Sequence, residues 1–133
     1  MKKLKAAVIG VGSMGSRHAR VYAALSETNL VAVADPAADY SARVAEEYGC
    51  KSYVDYQAML AVEQPDLVSV AVPTVFHLDV ARAALFAGCH VLVEKPIATS
   101  VDEAEQLIAA AVTTRRKLMV GHIVRFDPAI QAL

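Results

Sequence analysis

Three glycines spaced G-x-G-x-x-G, at Gly10, Gly12 and Gly15, close the apolar run Ala6-Ala7-Val8-Ile9 and open a segment with helical periodicity. A strand buried on both faces reads as a continuous apolar run, and a phosphate-binding turn needs backbone that side chains do not block. The stretch therefore constrains the chain to strand, tight turn and helix, in that order. In such a unit Gly10 makes the turn, Gly12 lets the backbone approach a pyrophosphate, and Gly15 lets the helix pack closely on the strand. The first helical turn, with Ser13 and Met14, aims its N–H groups and the positive end of its dipole at the anion. An incidental glycine-rich turn has the same three glycines, so the residues beyond Gly15 decide between the two.

Met14, His18, Val21, Tyr22 and Leu25 recur at helical spacing and predict a first helix with one apolar face. Residues 29–34 read as a second buried strand ending at Asp35-Pro36. Asp35 lies 20 positions after Gly15, about where a dinucleotide fold places the carboxylate that accepts from the adenosine ribose hydroxyls. Its other reading is a helix cap, since Asp before Pro often starts a helix. No arginine occurs between Asp35 and Ala42, so a 2′-phosphate meets a negative charge and no cation, which favours NAD over NADP.

A second helix is predicted over 37–48, with Tyr40, Val44 and Tyr48 buried, and a third strand over 51–54. Asp55 caps a small helix carrying Met59 and Leu60. Residues 67–72 form a central strand broken by Pro73-Thr74, and Thr74 caps a helix whose face is His77, Val80, Ala81, Ala84 and Leu85. His77 is open to two readings: a satisfied core residue, or a group on the ligand side of the sheet, just past a strand's carboxyl end. A fifth strand, 89–93, runs into Glu94-Lys95-Pro96, where the proline excludes helical backbone at Lys95 and makes a cis bond accessible. Ser100 to Glu103 is a capping box, and Ala104, Leu107, Ile108, Ala111 and Val112 form the apolar face of a fifth helix ending in Arg115, Arg116 and Lys117. Residues 118–121 are a sixth strand. Strands alternating with helices in this way specify an α/β fold, a doubly wound parallel sheet of six strands with helices on both faces.

At 133 residues and net charge −1, the chain suits one domain with no electrostatic reason to bind nucleic acid or an anionic membrane. No apolar run reaches the roughly 18 residues of a membrane span and no secretory h-region opens the chain, which reads as cytoplasmic. Cys50 and Cys89 are 39 positions apart without a C-x-x-C, and read as buried thiols in preference to a metal site or a disulfide. Asp127-Pro128 followed by apolar spacing starts a helix that stops after about six residues, too few to stand alone in water. The expected organisation is a dinucleotide-binding domain over 1–126, with 127–133 leading into a further domain.

Taken together, Val8-Ile9-Gly10-Val11-Gly12-Ser13-Met14-Gly15, Ala34-Asp35-Pro36, Pro73-Thr74-Val75-Phe76-His77, Glu94-Lys95-Pro96, and Gly121-His122 with Arg125-Phe126-Asp127-Pro128 resemble the N-terminal half of the Gfo/Idh/MocA oxidoreductases. The resemblance covers the whole chain. It implies strand order 3-2-1-4-5-6 with NAD or NADP across the carboxyl edge, and Pro73, Thr74 and His77 along the nicotinamide ribose. It makes Lys95 the lysine beside the nicotinamide and the substrate hydroxyl, with Glu94 either holding that lysine or forming a structural salt bridge. His122 and Arg125 fall near the cofactor and the domain junction. A lysine there has a chemical use, because removing a hydride from a secondary alcohol requires its O–H proton to leave.

The resemblance further implies a sugar or polyol substrate, a C-terminal domain supplying the substrate pocket and a second acid/base group, and homo-oligomers of the full-length form. Two other functions compete. A stand-alone dinucleotide sensor has no need of a lysine at the nicotinamide end, and a glycine-loop methyltransferase has no use for Glu94-Lys95-Pro96.

Overall fold

The computed structural model describes residues 2–121. Six parallel strands, β1 (Leu4–Ile9), β2 (Thr28–Ala34), β3 (Lys51–Tyr53), β4 (Leu67–Val70), β5 (His90–Val93) and β6 (Leu118–Val120), form one sheet in the order β3-β2-β1-β4-β5-β6. Five helices connect them: α1 (Ser13–Ala24), α2 (Ala38–Tyr48), α3 (Tyr56–Glu63), α4 (His77–Phe86) and α5 (Val101–Thr114). The order reverses between β1 and β4, the switch point at which open α/β sheets bind ligands.

Alternation along the strands divides the core in two. Ala6, Val8, Val33, Leu67 and Leu92 face α1 and α2, where Ala19, Tyr22 and Val44 are buried. Ala7, Ile9, Val70, Val91 and Val93 face the other way, toward Met59, Leu85 and Leu107 of α3, α4 and α5. Both faces of the central strands are covered, which explains the unbroken apolar run Ala6–Ile9 and the nearly apolar Leu67–Val70, where the buried Ser69 is the polar exception.

Several local expectations shift. Thr74 does not cap α4: Thr74–Phe76 is one turn of 3-10 helix, and α4 begins at His77. The Ser100 hydroxyl accepts from the Glu103 N–H at 3.2 Å, but Glu103 reaches back to Thr99, taking its hydroxyl at 2.7 Å and its N–H at 3.3 Å. Tyr40 is exposed, while Ser41, Val44 and Ala45 are the buried residues of α2. On α5 the buried residues are Leu107 and Ala110, whereas Ile108 and Val112 are 54% and 73% exposed. The basic run follows that helix, with Arg115 as its C-cap. Residues 122, 125, 126 and 127–133 lie outside the described residues.

Candidate functional site

Tyr53, Ala34, Ile9, Val70, Val93 and Val120 stand side by side across the sheet. One residue further along, Val54, Asp35, Gly10, Ala71, Glu94 and Gly121 leave at one edge. Asp35 and Glu94 are three strands apart, roughly 14 Å at the usual spacing. Backbone bonds carry the ladder into this edge: the Gly10 N–H donates to Ala34 O at 2.8 Å, and the Ala71 N–H to Ile9 O at 2.8 Å.

The glycines divide the work. Gly10 has φ +90°, and a Cβ on it falls 2.8 Å from Ala71 O. A Cβ on Gly15 falls 1.7 Å from Gly10 O, so the helix sits against the turn only because the side chain is absent. A Cβ on Gly12 meets no protein atom within 4 Å. Gly12 is also the N-cap of α1, which has neither a capping side chain nor an acidic residue in its first turn. Asp55 and Ser100 cap α3 and α5, whereas α2 and α4, like α1, have no capping side chain. Helical bonding starts with the Ser16 N–H on Gly12 O at 2.9 Å, which leaves the Ser13, Met14 and Gly15 N–H groups for an outside acceptor.

Asp35 combines both of its expected roles. Its Oδ1 accepts from the Ala37 N–H at 2.8 Å, as a capping residue does, and its Oδ2 accepts from the Val11 N–H at 2.9 Å, which fastens the glycine loop to β2. Each oxygen keeps a further lone pair for a ribose hydroxyl. Beside it opens a cleft of about 680 Å³ whose lining includes Gly10, Gly12, Asp35, Val72, Pro73 and Phe76. Thr74 does not line it. An uncapped helix end, room at Gly12 and a carboxylate with free lone pairs beside an apolar cleft are features a dinucleotide site needs. A second hollow, of about 380 Å³, lies between α1 and α2 and is lined by Ser13, Ser16, Tyr40, Arg43 and Glu47 among others. Arg43 stacks on Tyr40, 5.6 Å from its ring centroid, so a cation does stand at this corner, one position past the arginine-free interval.

At the other end of the edge Lys95 is exposed and, among the described residues, has no hydrogen bond or ion pair. Its bond to Pro96 is cis. Glu94 does not hold it: the Glu94 carboxylate turns to the α1 face and accepts from His18 Nε2 at 2.9 Å. The lysine-holding role considered for Glu94 is thus corrected. Strand parity explains it, since Glu94 continues the α1 face that Leu92 occupies. His18 Nδ1 lies 2.8 Å from Ser69 Oγ, and Ser69 Oγ lies 2.6 Å from the Tyr22 hydroxyl.

Burial pushes the His18 pKa down, against the opposing hydrogen bond and charge of Glu94, so the ring is neutral at pH 7. Its one N–H belongs on Nε2, facing the carboxylate, and the Ser69 O–H then donates to Nδ1. Burial pushes the Tyr22 pKa up, so its hydroxyl keeps the proton it gives to Ser69.

His77 is 2% exposed, and both ring nitrogens face backbone carbonyls. Nδ1 is 3.1 Å from Pro96 O and from Ile97 O, and Nε2 is 3.0 Å from Val72 O. The ring is committed to two loops, so any role beside the nicotinamide ribose would fall to the backbone and neighbours that it holds. The satisfied-core reading of His77 is the one its burial and contacts fit, whereas reading His18 as a stripe residue missed its polar partners. The available signal was a histidine at a helical core position, which has to find polar partners. The thiols are inert: burial raises Cys89 to about 12 and Cys50 to about 11. His122 and Arg125 lie outside the described residues.

Residues 4–122 match the family model GFO_IDH_MocA, described as an oxidoreductase family with NAD-binding Rossmann fold. The UDP-N-acetylglucosamine 3-dehydrogenase of Acidithiobacillus ferrooxidans is 42% identical over 133 residues, all of this chain and 41% of that enzyme. Its solved structure superposes with a TM-score of 0.86 over 99% of this chain and 42% of its own. The D-glucoside 3-dehydrogenase of Escherichia coli is 39% identical over 93% of this chain and 34% of its own length. A scyllo-inositol dehydrogenase from Lactobacillus casei, solved with NAD(H) and scyllo-inositol, gives a TM-score of 0.86 at 28% identity, covering 95% of this chain and 38% of that one. The chain thus spans about two fifths of these relatives or less.

Proposed function

This chain belongs to the Gfo/Idh/MocA oxidoreductase family, and we propose that it is the NAD-binding part of a dehydrogenase acting on a secondary alcohol of a sugar, cyclitol or nucleotide sugar. The observation that carries the reading is the shared edge: the uncapped α1 terminus with Asp35 at one end, and an exposed Lys95 without a described partner at the other. When bound, NAD supplies the hydride acceptor. The chain's own residues do the rest. The Ser13, Met14 and Gly15 N–H groups and the α1 dipole hold the pyrophosphate. Asp35 accepts from the ribose hydroxyls, and its charge disfavours a 2′-phosphate, so NAD is preferred to NADP. The Lys95 ammonium stabilises the alkoxide that develops as the hydroxyl loses its proton. A sensor has no need of an ammonium at that position. The relatives' names point to hexose 3-hydroxyls and inositol hydroxyls as the alcohols to try first.

The test is NAD reduction by the full-length protein against UDP-N-acetylglucosamine, glucosides and inositols, in wild type and Lys95→Ala. We expect the variant to bind NADH as wild type does and to lose turnover by about 100-fold or more, the usual scale of an acid/base contribution. Unchanged turnover removes Lys95 from the mechanism, and equal affinity of the wild type for NADH and NADPH contradicts the role given to Asp35.

A further inference from the structure

The segment that carries Lys95 is gripped from both faces of the sheet. On the α1 face, His18 Nε2 donates to Glu94 at 2.9 Å, and the ring is itself seated on Ser69 of β4. On the α4 face, the His77 ring is wedged between the Val72 carbonyl, 3.0 Å from Nε2, and the Pro96 and Ile97 carbonyls, each 3.1 Å from Nδ1; a ring with a single N–H donates to one side of that wedge and packs against the other. One grip falls on the residue before Lys95 and the other on the two residues after it. Both histidines are buried, at 0% and 2% exposure. The lysine between them projects into solvent without a described partner of its own.

We infer that His18, through Glu94, and His77 are a pair of positioning residues that hold the Lys95 backbone from opposite faces of the sheet. The inference rests on the proton-handling role proposed for Lys95 and adds how its place is set. A four-carbon ammonium chain is flexible, so the location of its head depends on how firmly its Cα is held. Neither grip is local. His18 lies on the helix whose first turn receives the pyrophosphate, and His77 opens the helix that comes after Pro73, in the wall of the cleft. The two turns that meet the cofactor are therefore each tied to the segment that carries the lysine. Such coupling is useful in a dehydrogenase, where the proton acceptor and the hydride acceptor must be set against the same carbon.

The readout is the side chain of Lys95. In the full-length protein, lysines are dimethylated with 13C-formaldehyde and the Lys95 signal is assigned by its loss in K95R. The signal is followed on addition of NADH in wild type, E94A, E94Q and H77A, with NADH affinity measured alongside. The expected result is a defined Lys95 signal in wild type that moves with NADH. In E94A and H77A it should be displaced and respond less, while NADH affinity changes by less than about threefold, under 1 kcal/mol. E94Q, which keeps an acceptor for the His18 N–H, should behave as wild type. A wild-type signal and response in E94A and H77A overturns the inference, and a change in only one of them overturns the pair. If E94A does not fold, H18N keeps the Ser69 contact but falls short of Glu94, and a wild-type Lys95 signal there is equally fatal. Because none of these readouts is turnover, they separate from the Lys95→Ala assay: a lysine can be held in this way and still prove unnecessary for the reaction.

Discussion

Gly12 and Gly15 belong to one motif and have opposite reasons for being glycine, and substitution to alanine should separate them. At Gly15 the new methyl falls 1.7 Å from a backbone oxygen, so turn and helix must part. Overpacking of this kind costs about 1–3 kcal/mol or more, and Gly15→Ala should lower Tm clearly. At Gly12 the methyl meets nothing in the protein and enters the space between the α1 terminus and the cleft. Gly12→Ala should keep the wild-type Tm and lose NADH affinity by at least about tenfold, or 1.4 kcal/mol. Thermal melts and NADH fluorescence titrations read both, and a Gly12→Ala protein that binds NADH normally would place the pyrophosphate elsewhere. The spacing of the three glycines is visible in the chain. Which of them faces the protein and which faces the ligand depends on Gly10 and Ala71, residues brought together only by the fold.

Strands and helices were legible where their period was strong. All six strands and five helices exist in the expected order, but β4 stops at Val70, two residues short of the 67–72 expected, and α4 starts at His77 after a turn of 3-10 helix; a two-sided sheet favours apolar residues at its central positions, with Ser69 of β4 the exception. Faces were less legible than elements. On α5 both Leu107 and Ile108 fit an apolar stripe, and one residue of rotation, about 100°, decides between them. The structure buries Leu107 fully and leaves Ile108 54% exposed. Leu107→Ala should therefore cost about 2–5 kcal/mol, and Ile108→Ala no more than about 0.5 kcal/mol, as for an ordinary surface position. Urea unfolding of the two variants measures the difference, and equal losses would mean that the outer face of α5 is covered. The capping box shows the same limit at smaller scale: Glu103 reaches Thr99, one residue outside the predicted pair, because the hydroxyl there is a better placed donor.

Across the whole molecule, the least legible feature is the chain of polar contacts from Tyr22 through Ser69 and His18 to Glu94, since its members lie on α1, on β4 and at the end of β5. Each residue taken singly fits a core stripe or a loop; only the sheet order brings them together. These contacts give stability a predictable pH dependence. Burial holds the His18 pKa below its ordinary 6.5 in the folded protein, and His90 is held low by burial and by Arg116 and Lys117. Well above pH ~6.5 neither state binds these protons, so stability there does not vary on their account. Below it the unfolded chain takes up protons that the folded chain resists, and stability falls as pH falls toward the folded pKa values. For His18 the slope is at most about 1.4 kcal/mol per pH unit, one proton's worth. Protonation also turns Nδ1 from acceptor to donor against the Ser69 hydroxyl, which must turn its own proton away and accept from both His18 and Tyr22. Urea unfolding at pH 7.5, 6.5 and 5.5 should therefore show a loss that begins in the upper interval and is larger in the lower one, and smaller throughout in His18→Asn despite that variant's lower baseline. His90→Gln removes the other contribution without touching the Glu94 grip. A wild-type stability that instead rises from 6.5 to 5.5 would mean that His18 is already charged in the folded state, with Glu94 outweighing burial, and that Nδ1 donates to Ser69; a level profile would mean that burial and Glu94 cancel.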